Sequence, residues 1–541
     1  MKDDAPLTQD RALQIQVKDV ATVLPDAAAS VTINPLAQLA LNQTQVNFGQ
    51  VAVGSFKEQS FTLTSSTSAN PVGLNFAANP PFSFVDVAGC GLANSTCTFK
   101  IRFAPTAVTG SGQTPFIGFN DGIAQKTLQI QVNGQGINPG TLVTAFGTAG
   151  KVTADFGNAS RNAFGSAMVI QPDKKVVVAG KVFNGSNHDI GLARFNSDGT
   201  PDLSFGSNGS VKSDLGADEK VSAVGLMSDG SILVAGSTSG SSGSRAFALA
   251  QFSPAGTLLG STTTAFGSGD AEASAMAIDS ANGIVLAGTY TGSTLAKFAV
   301  AKYRANRTAD TSFNTNGRKL FAVKTDSDDR AIAVAIQKTD QKIIVAGTYE
   351  VNNSIHGAVI RLNTNGSYDT SFNGNGMRLT SFNAQDDEPT AMTLQPDGKI
   401  VLAVSTEYAD QMAIYRINTN GNFDSSFGGG DGRKSVDFGS GSRVDKAKAI
   451  AIQEDGKIVI AGLSTDGTNA DVAIGRVNAD GTLDDKFIGA GTLDGRVLSD
   501  LGSPEDSGNA VAIQSDGKLL VGGSTVDSNG VSQMIVLQYF R

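Results

Sequence analysis

One short motif recurs along most of the chain and limits what it can fold into. In its clearest copy, Ala449–Gly462, two apolar runs of alternating character flank an Asp-Gly pair. This pattern is a strong signal for a β-hairpin, because the tight turn needs positive φ at its centre. The other copies are Ala167–Gly180, Ala223–Gly236, Ala275–Gly288, Ala333–Gly347, Ala391–Val404 and Ala510–Gly523.

The seven hairpins follow one another at a nearly constant interval, with closing residues 52 to 61 positions apart. Each hairpin is followed by two further candidate strands, which in the first repeat are Asp189–Asn196 and a looser one around Ser204–Asp214. Four strands repeated at this period are typical of a β-propeller blade. The sequence therefore predicts an all-β chain with a seven-bladed β-propeller over residues 140–541.

The two ends of the repeat region complement each other. The last repeat ends at Arg541 and lacks the NxDGTxDxSFG segment that follows the third strand elsewhere. Residues 140–147, GTLVTAFG, are similar to that missing segment. We therefore expect residues 141–153 to supply the outer strand of the last blade, which closes the ring and protects its edges.

The part before the repeats has a different pattern. In residues 36–138 short strands alternate with turns, and the strict alternation of Phe99–Phe103 places one face in a core and the other in water. About seven strands in roughly 100 residues predict a β-sandwich. Residues 1–35 have mixed polarity and no period, so we expect a tail or tether there, compatible with a mature lipoprotein.

Both regions resemble bacterial families. VNFGQVAVGS (46–55), CTFKIRFAPT (97–106) and VNGQG (132–136) resemble the Ig-like sandwich of bacterial surface proteins related to the ASH group. That resemblance implies a spacer or interaction module. The consensus AxAIQPDGKIVVAG, followed by DxAxARxNxDGTxDxSFGxxG, resembles the delta-60 repeat of bacterial β-propellers over residues 140–541. It implies the fold and no defined biochemical role.

A cation and an acid recur together in the repeats. In five repeats the third strand ends in Arg or Lys and an Asp follows eight residues later; in the other two repeats both are missing. Because a partly buried charge left alone is costly, this joint loss predicts an ion pair across the hairpin, with a structural role. The pairs are Arg194/Asp202, Lys302/Asp310, Arg361/Asp369, Arg416/Asp424 and Arg476/Asp484; the repeats without them have Gln251 with Leu259 and Gln538 with Val143.

An acidic residue also recurs four positions before the first Ala of the hairpin. It lies where the second-to-third strand loops and the links between blades vary in length, an end of the propeller that we call the loop-rich face. The opposite end, with the uniform tight turns, is the turn face.

Functional residues concentrate on variable loops held by a rigid frame, so we expect binding at the loop-rich face. There an acidic rim at the channel mouth would attract a cation or a basic partner, or would simply be solvated. The rim residues are Glu219, Asp329, Asp387, Asp445 and Asp506.

Two further motifs bear on cofactors and compartment. Turns such as NSDGTPD (196–202) and NADGTLD (478–484) faintly resemble calcium loops but lack the terminal Glu, so a hairpin turn is favoured and calcium is the alternative. No other cofactor and no metal site is predicted. Cys90 and Cys97 lie seven residues apart, and we favour a local disulfide in an oxidising compartment over two free thiols.

Composition narrows the function. A net charge of −9 and a pI near 4.9 argue against nucleic acid as a partner, and no apolar run is long enough to cross a membrane. No Ser/His/Asp set, metal triad or phosphate-binding Gly loop is evident, so we expect no enzyme. We expect a secreted, periplasmic or surface-attached binding or adhesion protein for an extracellular or envelope protein or glycan, with its leader absent from this chain.

Two alternatives remain at this point. One is an envelope glycan hydrolase or lyase that uses acids at the channel mouth, which would need one carboxyl with a raised pKa near an ionised one. The other is a structural component of a surface appendage.

Overall fold

The structure is a computed structural model that describes residues 39–65, 72–90, 96–120, 124–154, 156, 162–239, 243–292, 295–380, 387–406, 410–439, 443–489 and 494–541. The predicted tail, residues 1–35, lies outside these ranges. Within them the chain forms β-strands almost throughout, with a short 3-10 turn at Val87–Gly89. None of the described residues forms a helix long and apolar enough to cross a membrane.

The part before the repeats forms three sheets of ten strands, more than the seven or so predicted. Their orders are β1-β3-β6-β5, β2-β10-β7 and β4-β8-β9, and β2 and β10 run parallel. The alternation of Phe99, Ile101 and Phe103 buries all three side chains in one core. The strands are β1 Leu39–Leu41, β2 Gln45–Ala52, β3 Lys57–Ser65, β4 Val72–Ala77, β5 Phe82–Val85, β6 Thr96–Phe103, β7 Gly110–Gln113, β8 Phe116–Asn120, β9 Gln125–Gln129 and β10 Gln131–Ile137.

Cys90 and Cys97 form a disulfide in the structure, with their Cα atoms 5.2 Å apart. Both side chains are buried in the same core as Phe61 and Phe99. The bridge therefore ties the start of β6 to the segment that precedes it.

The rest of the chain forms seven four-stranded antiparallel sheets, numbered here 1 to 7 in chain order. The first strands are β12 Ala163–Ile170, β16 Glu219–Leu226, β20 Asp270–Ile278, β24 Asp328–Ile336, β28 Asp387–Leu394, β32 Val444–Ile452 and β36 Ser507–Ile513. The second strands are β13 Val176–Phe183, β17 Ile232–Ser239, β21 Ile284–Thr291, β25 Ile343–Val351, β29 Ile400–Thr406, β33 Ile458–Thr465 and β37 Leu519–Val526. The third strands are β14 His188–Phe195, β18 Arg245–Phe252, β22 Ala296–Tyr303, β26 Ser354–Leu362, β30 Gln411–Ile417, β34 Ala470–Val477 and β38 Ser532–Tyr539. The fourth strands are β15 Ser210–Ser213, β19 Leu258–Thr264, β23 Arg318–Phe321, β27 Met377–Leu379, β31 Arg433–Val436, β35 Arg496–Ser499 and, in sheet 7, β11 Lys151–Thr153.

The sheets follow one another in a closed succession. The first strand of each sheet contacts the first strand of the next, and β36 of sheet 7 returns to β12 of sheet 1. Sheet 7 is completed by the start of the region, since β11 pairs antiparallel with β38 and Leu142 bridges Tyr539. Apolar side chains fill the space between neighbours: Val345 and Ile360 of sheet 4, for example, share a core with Val285 of sheet 3.

The recurring hairpin has two local features. In the copy at Ala449–Gly462 only Gly456 of the Asp-Gly pair has positive φ, at 82°, and its N–H donates to the carbonyl of Gln453. Gly456 thus supplies the positive φ that the tight turn needs, in a type I turn followed by a left-handed glycine. The first strand also carries a bulge between Ala447 and Ala449. A Cβ on Gly462 would lie 2.0 Å from the carbonyl oxygen of Lys446, so the bulge requires glycine opposite it.

Candidate functional site

The strongest polar feature of the ring is a buried ion pair at the turn face, which we call the staple. In sheet 5 the Arg416 guanidinium donates through Nε to Asp424 Oδ2 at 2.7 Å and through Nη2 to Ser426 Oγ at 3.2 Å. Its Nη1 donates at 2.6 Å to the carbonyl of Ala479, which belongs to sheet 6. The guanidinium also lies 4.4 Å from the ring centroid of Phe427. The staple therefore joins two sheets.

The same pairing recurs in the other repeats that carry both charges. The two members approach within 2.7 Å in Arg194/Asp202, 3.3 Å in Lys302/Asp310, 2.6 Å in Arg361/Asp369 and 2.7 Å in Arg476/Asp484.

A lysine of the hairpin also holds the acid in four of these five sheets. This lysine, two residues after the aspartate of the hairpin turn, reaches the carboxylate, as Lys399 does to Asp424 at 2.9 Å. Burial opposes ionisation of Asp424, but hydrogen bonds from Ser426 and Lys399 and the charge of Arg416 outweigh it and hold its pKa well below the usual range. The corresponding lysines are Lys175, Lys342 and Lys457.

The two sheets without the pair replace it with amide contacts. In sheet 7, Gln538 Nε2 donates to Gln514 Oε1 at 2.6 Å. In sheet 2, Gln251 Nε2 donates to Ser231 Oγ at 2.8 Å, and its Oε1 accepts from the guanidinium of Arg307, which comes from sheet 3. A cation thus reaches sheet 2 after all, from a neighbour that the spacing within one repeat could not reveal.

The five predicted rim acids do not form an exposed rim. All are buried, with between 0% and 5% of each residue exposed: Glu219, Asp329, Asp387, Asp445 and Asp506. The interpretation as an exposed, solvated acidic rim was therefore wrong. These side chains turn inward, because each accepts hydrogen bonds from the protein around it.

The contacts of these acids explain their burial. Asp329 accepts from the backbone N–H of Val323 at 2.7 Å and from Ser327 Oγ at 2.5 Å. Asp506 accepts in the same way from the N–H of Leu501 and from Thr525 Oγ1. Each acid thus anchors the link that enters its own sheet. Burial raises the pKa of Asp329 despite the hydrogen bond from Ser327.

In the turns that resemble calcium loops, the Asp side chains form hydrogen bonds within the turn itself. In NSDGTPD (196–202), Asp198 Oδ1 accepts from the N–H of Thr200 at 2.9 Å and from its hydroxyl at 2.7 Å. In NADGTLD (478–484), Asp480 does the same with Thr482. These local bonds are those of a hairpin turn, which supports the favoured interpretation of the motif.

A cavity of about 600 Å³ lies between sheets 4 and 5 at the turn face. Its lining includes Ile336 and Leu394, the buried glutamine Gln337 and the half-buried Gln395. The Oε1 atoms of both glutamines are buried and have no hydrogen-bond donor. A buried acceptor without a donor costs about 1–3 kcal/mol, so a donor that reached either oxygen would be favourable.

The same glutamine position is satisfied in other sheets. Gln171 Oε1 accepts from Arg194 at 3.4 Å in sheet 1, and Gln453 Oε1 accepts from Arg476 at 3.4 Å in sheet 6. The cavity was not predicted from the sequence, because the same glutamine occurs in all of these repeats. The repeats differ only in where the surrounding side chains lie.

The comparisons with known proteins agree with this architecture. A family model described as "Domain of unknown function (DUF5122) beta-propeller" matches six segments, which run from the end of the first strand of a sheet toward its fourth strand: 171–205, 228–258, 338–372, 395–427, 453–487 and 514–540. The chain is therefore a β-propeller repeat protein. No curated protein matches it.

The solved structures that match this chain have little sequence in common with it. A protein of unknown function from Dyadobacter fermentans DSM 18053 is 10% identical, with 72% of this chain and 100% of that chain covered and a TM-score of 0.37. The polysaccharide lyase Uly1 is 11% identical, with 72% and 92% covered and a TM-score of 0.42. A PapD-like domain of human CEP192 is 15% identical, with 21% and 98% covered and a TM-score of 0.15. At these scores the neighbours carry no inference about activity.

Proposed function

We propose that this chain is a non-catalytic binding protein whose propeller holds a short, hydroxyl-rich ligand, a glycan unit, in the cavity between sheets 4 and 5. The observation that carries the proposal is that two residues lining this cavity, Gln337 and Gln395, each have a buried Oε1 atom without a donor. Hydroxyl groups would supply the missing donors. This moves the proposed site from the loop-rich face to the turn face.

The other groups around the cavity suit the same kind of ligand. Ile336 and Leu394 offer apolar surface, while Lys338 and Asp397 are exposed. A sugar presents hydroxyls that both donate and accept beside apolar ring faces, and so needs such a mixed lining. A protein segment is the alternative ligand, and a purely structural role in a surface appendage would need no ligand at all.

The finer architecture belongs to this proposal. We infer a seven-bladed propeller from the seven sheets and their closed succession, with residues 141–153 completing the last blade, and an Ig-like sandwich of the ASH type before it as a spacer. The Cys90–Cys97 disulfide favours a secreted, periplasmic or surface location. In this proposal the delta-60 repeat is the unit of the propeller.

The enzymatic alternative needs carboxyl groups that reach a substrate. Asp329 and Asp506 are fully buried, and Tyr415 donates to Asp387 Oδ2 at 2.8 Å, so these acids serve the frame rather than a bound glycan. Polysaccharide turnover by wild-type protein that Asp387→Asn or Asp329→Asn abolishes, in variants that fold normally, would favour a hydrolase or lyase instead.

Binding to a glycan array and a peptide array tests the proposal. We expect wild-type protein to bind a glycan. The double variant Gln337→Leu/Gln395→Leu should bind it with an affinity lower by on the order of tenfold or more, because two hydrogen bonds are lost. The matched control is Gln171→Leu/Gln453→Leu, which alters the same repeat position away from the cavity. Binding of peptides alone, or equal losses in both double variants, would overturn the proposal.

A further inference from the structure

Three carboxylates meet between sheets 1 and 2 at the loop-rich face. Asp189 lies near the start of β14, Asp214 follows β15 directly, and Glu219 begins β16. One oxygen of each lies within 4.8 Å of an oxygen of both others. Two oxygens bound to one Ca²⁺ at about 2.4 Å are at most about 4.8 Å apart, so this spacing fits a shared ion.

One member of the cluster has an unused oxygen in the protein interior. Glu219 is 2% exposed; its Oε1 accepts from Thr238 Oγ1 at 2.8 Å, and its Oε2 is buried without any hydrogen-bond partner. Such a buried oxygen without a donor is able to coordinate a cation.

The equivalent acids of other sheets show what is different here. Asp329 and Asp506 are one methylene shorter, and both oxygens of each accept from protein donors. Asp445 also has one oxygen without a donor, but among the described residues it belongs to no carboxylate cluster. Only the Glu219 carboxylate, within the described part of the chain, combines an unused oxygen with two neighbouring acids.

The two partner acids keep binding capacity as well. Asp189 Oδ1 accepts from Asn184 Nδ2 at 2.6 Å, and Asp214 Oδ1 accepts from the N–H of Gly216 at 2.6 Å. In the ranges that the structure covers, no lysine or arginine pairs with any of the three carboxylates. Three acids so close together repel one another, and a divalent cation would remove that repulsion.

We propose that Asp189, Asp214 and Glu219 bind a divalent cation, with Ca²⁺ as the preferred ion. All three side chains offer oxygen atoms. Zinc favours nitrogen and sulfur ligands, so this donor set suits zinc less well than calcium. Calcium accepts irregular geometry and completes its shell with carbonyls and water, whereas Mg²⁺ demands a near-ideal octahedron. The ion would join the outer part of sheet 1 to the first strand of sheet 2.

Calcium titration of the full chain, stripped of ions with a chelator, tests the site. We expect one Ca²⁺ per chain by calorimetry, a rise of about 2–5 °C in the unfolding temperature at saturation, and a smaller rise with Mg²⁺. Asp214→Asn should weaken Ca²⁺ binding on the order of tenfold or more without harming the fold, because Asp214 is exposed. Glu219→Gln should abolish the thermal shift.

The matched control is Asp198→Asn, an exposed acid at the turn of the same sheet, which should leave the calcium response intact. Loss of the response in Asp198→Asn with retention in Asp214→Asn would place the ion in the turn and overturn the proposal. The absence of heat and thermal shift at millimolar Ca²⁺ would also overturn it.

Discussion

Sheets 4 and 5 have the same repeat as sheets 1 and 6, yet they differ at one amide oxygen. In sheets 1 and 6 the arginine of the staple donates to the glutamine that ends the first strand. In sheet 4 the Nη1 atom of Arg361 donates at 2.7 Å to the carbonyl of Thr419, as Arg194 Nη1 does to the carbonyl of Pro254, but Gln337 Oε1 is left without a donor. The two groups of sheets therefore differ in whether the guanidinium also reaches the glutamine.

The staple should stabilise sheets 5 and 6 to the same extent. Removing its arginine is the change with the largest expected effect on stability. Arg416→Gln in sheet 5 and Arg476→Gln in sheet 6 should each lower the free energy of unfolding by about 3 kcal/mol, because each leaves a buried Asp with one cation fewer. Chemical denaturation measures both. A loss of less than about 1 kcal/mol in either variant would show that the staple is not shared.

A double-mutant cycle separates the pair from its surroundings. Arg416→Gln combined with Asp424→Leu should cost less than the sum of the two single changes, by more than about 1 kcal/mol, since the second change removes the charge that the first one strands. Simple additivity of the three unfolding free energies would rule out the ion pair as the source of stability.

The frame was largely predictable from sequence, while the site was not. Arg416 and Asp424 lie eight residues apart on one hairpin, so their joint presence or absence in a repeat reports their contact. Arg307 reaches Gln251 from another sheet, and no spacing within a repeat encodes that contact. The burial of Asp329 was not predicted, because its sequence position indicates only a link between two sheets. Its burial follows from hydrogen bonds to the protein that the sequence does not reveal.

The cavity shows the same limit. Gln337 and Gln395 come from repeats whose glutamines look alike in sequence, and their free oxygens follow from the placement of long side chains between two sheets.

Acid should weaken the staples of both groups of sheets alike. The pKa of Asp424 is held below its unfolded value of about 3.9, so its contribution is present above that pH and is lost as the pH falls through the folded value. Thermal unfolding from about pH 7 to pH 2 should therefore show falling stability below about pH 4. Asp424→Asn should flatten this dependence; an unchanged slope would contradict the assignment.

A buried acid outside the staple should behave in the opposite way. The folded pKa of Asp329 is raised, so protonation favours the native state and its ionised form lowers stability above the folded pKa. Asp329→Asn should therefore change the free energy of unfolding at neutral pH by no more than about 1 kcal/mol, because the lost acceptor is offset by the lost charge. A loss as large as that of Arg416→Gln would contradict this reasoning.

The most direct test of the free amide oxygen compares the same change at two glutamines, one in sheet 4 and one in sheet 7, without any ligand. Gln337 and Gln514 occupy the same repeat position and are 6% and 8% exposed, but only Gln514 Oε1 has a donor, Gln538 Nε2. The expected result is that Gln514→Leu lowers the free energy of unfolding by about 1–2 kcal/mol, whereas Gln337→Leu leaves it unchanged or raises it. Equal losses in the two variants would mean that Gln337 is satisfied within the protein and that the cavity offers no free acceptor.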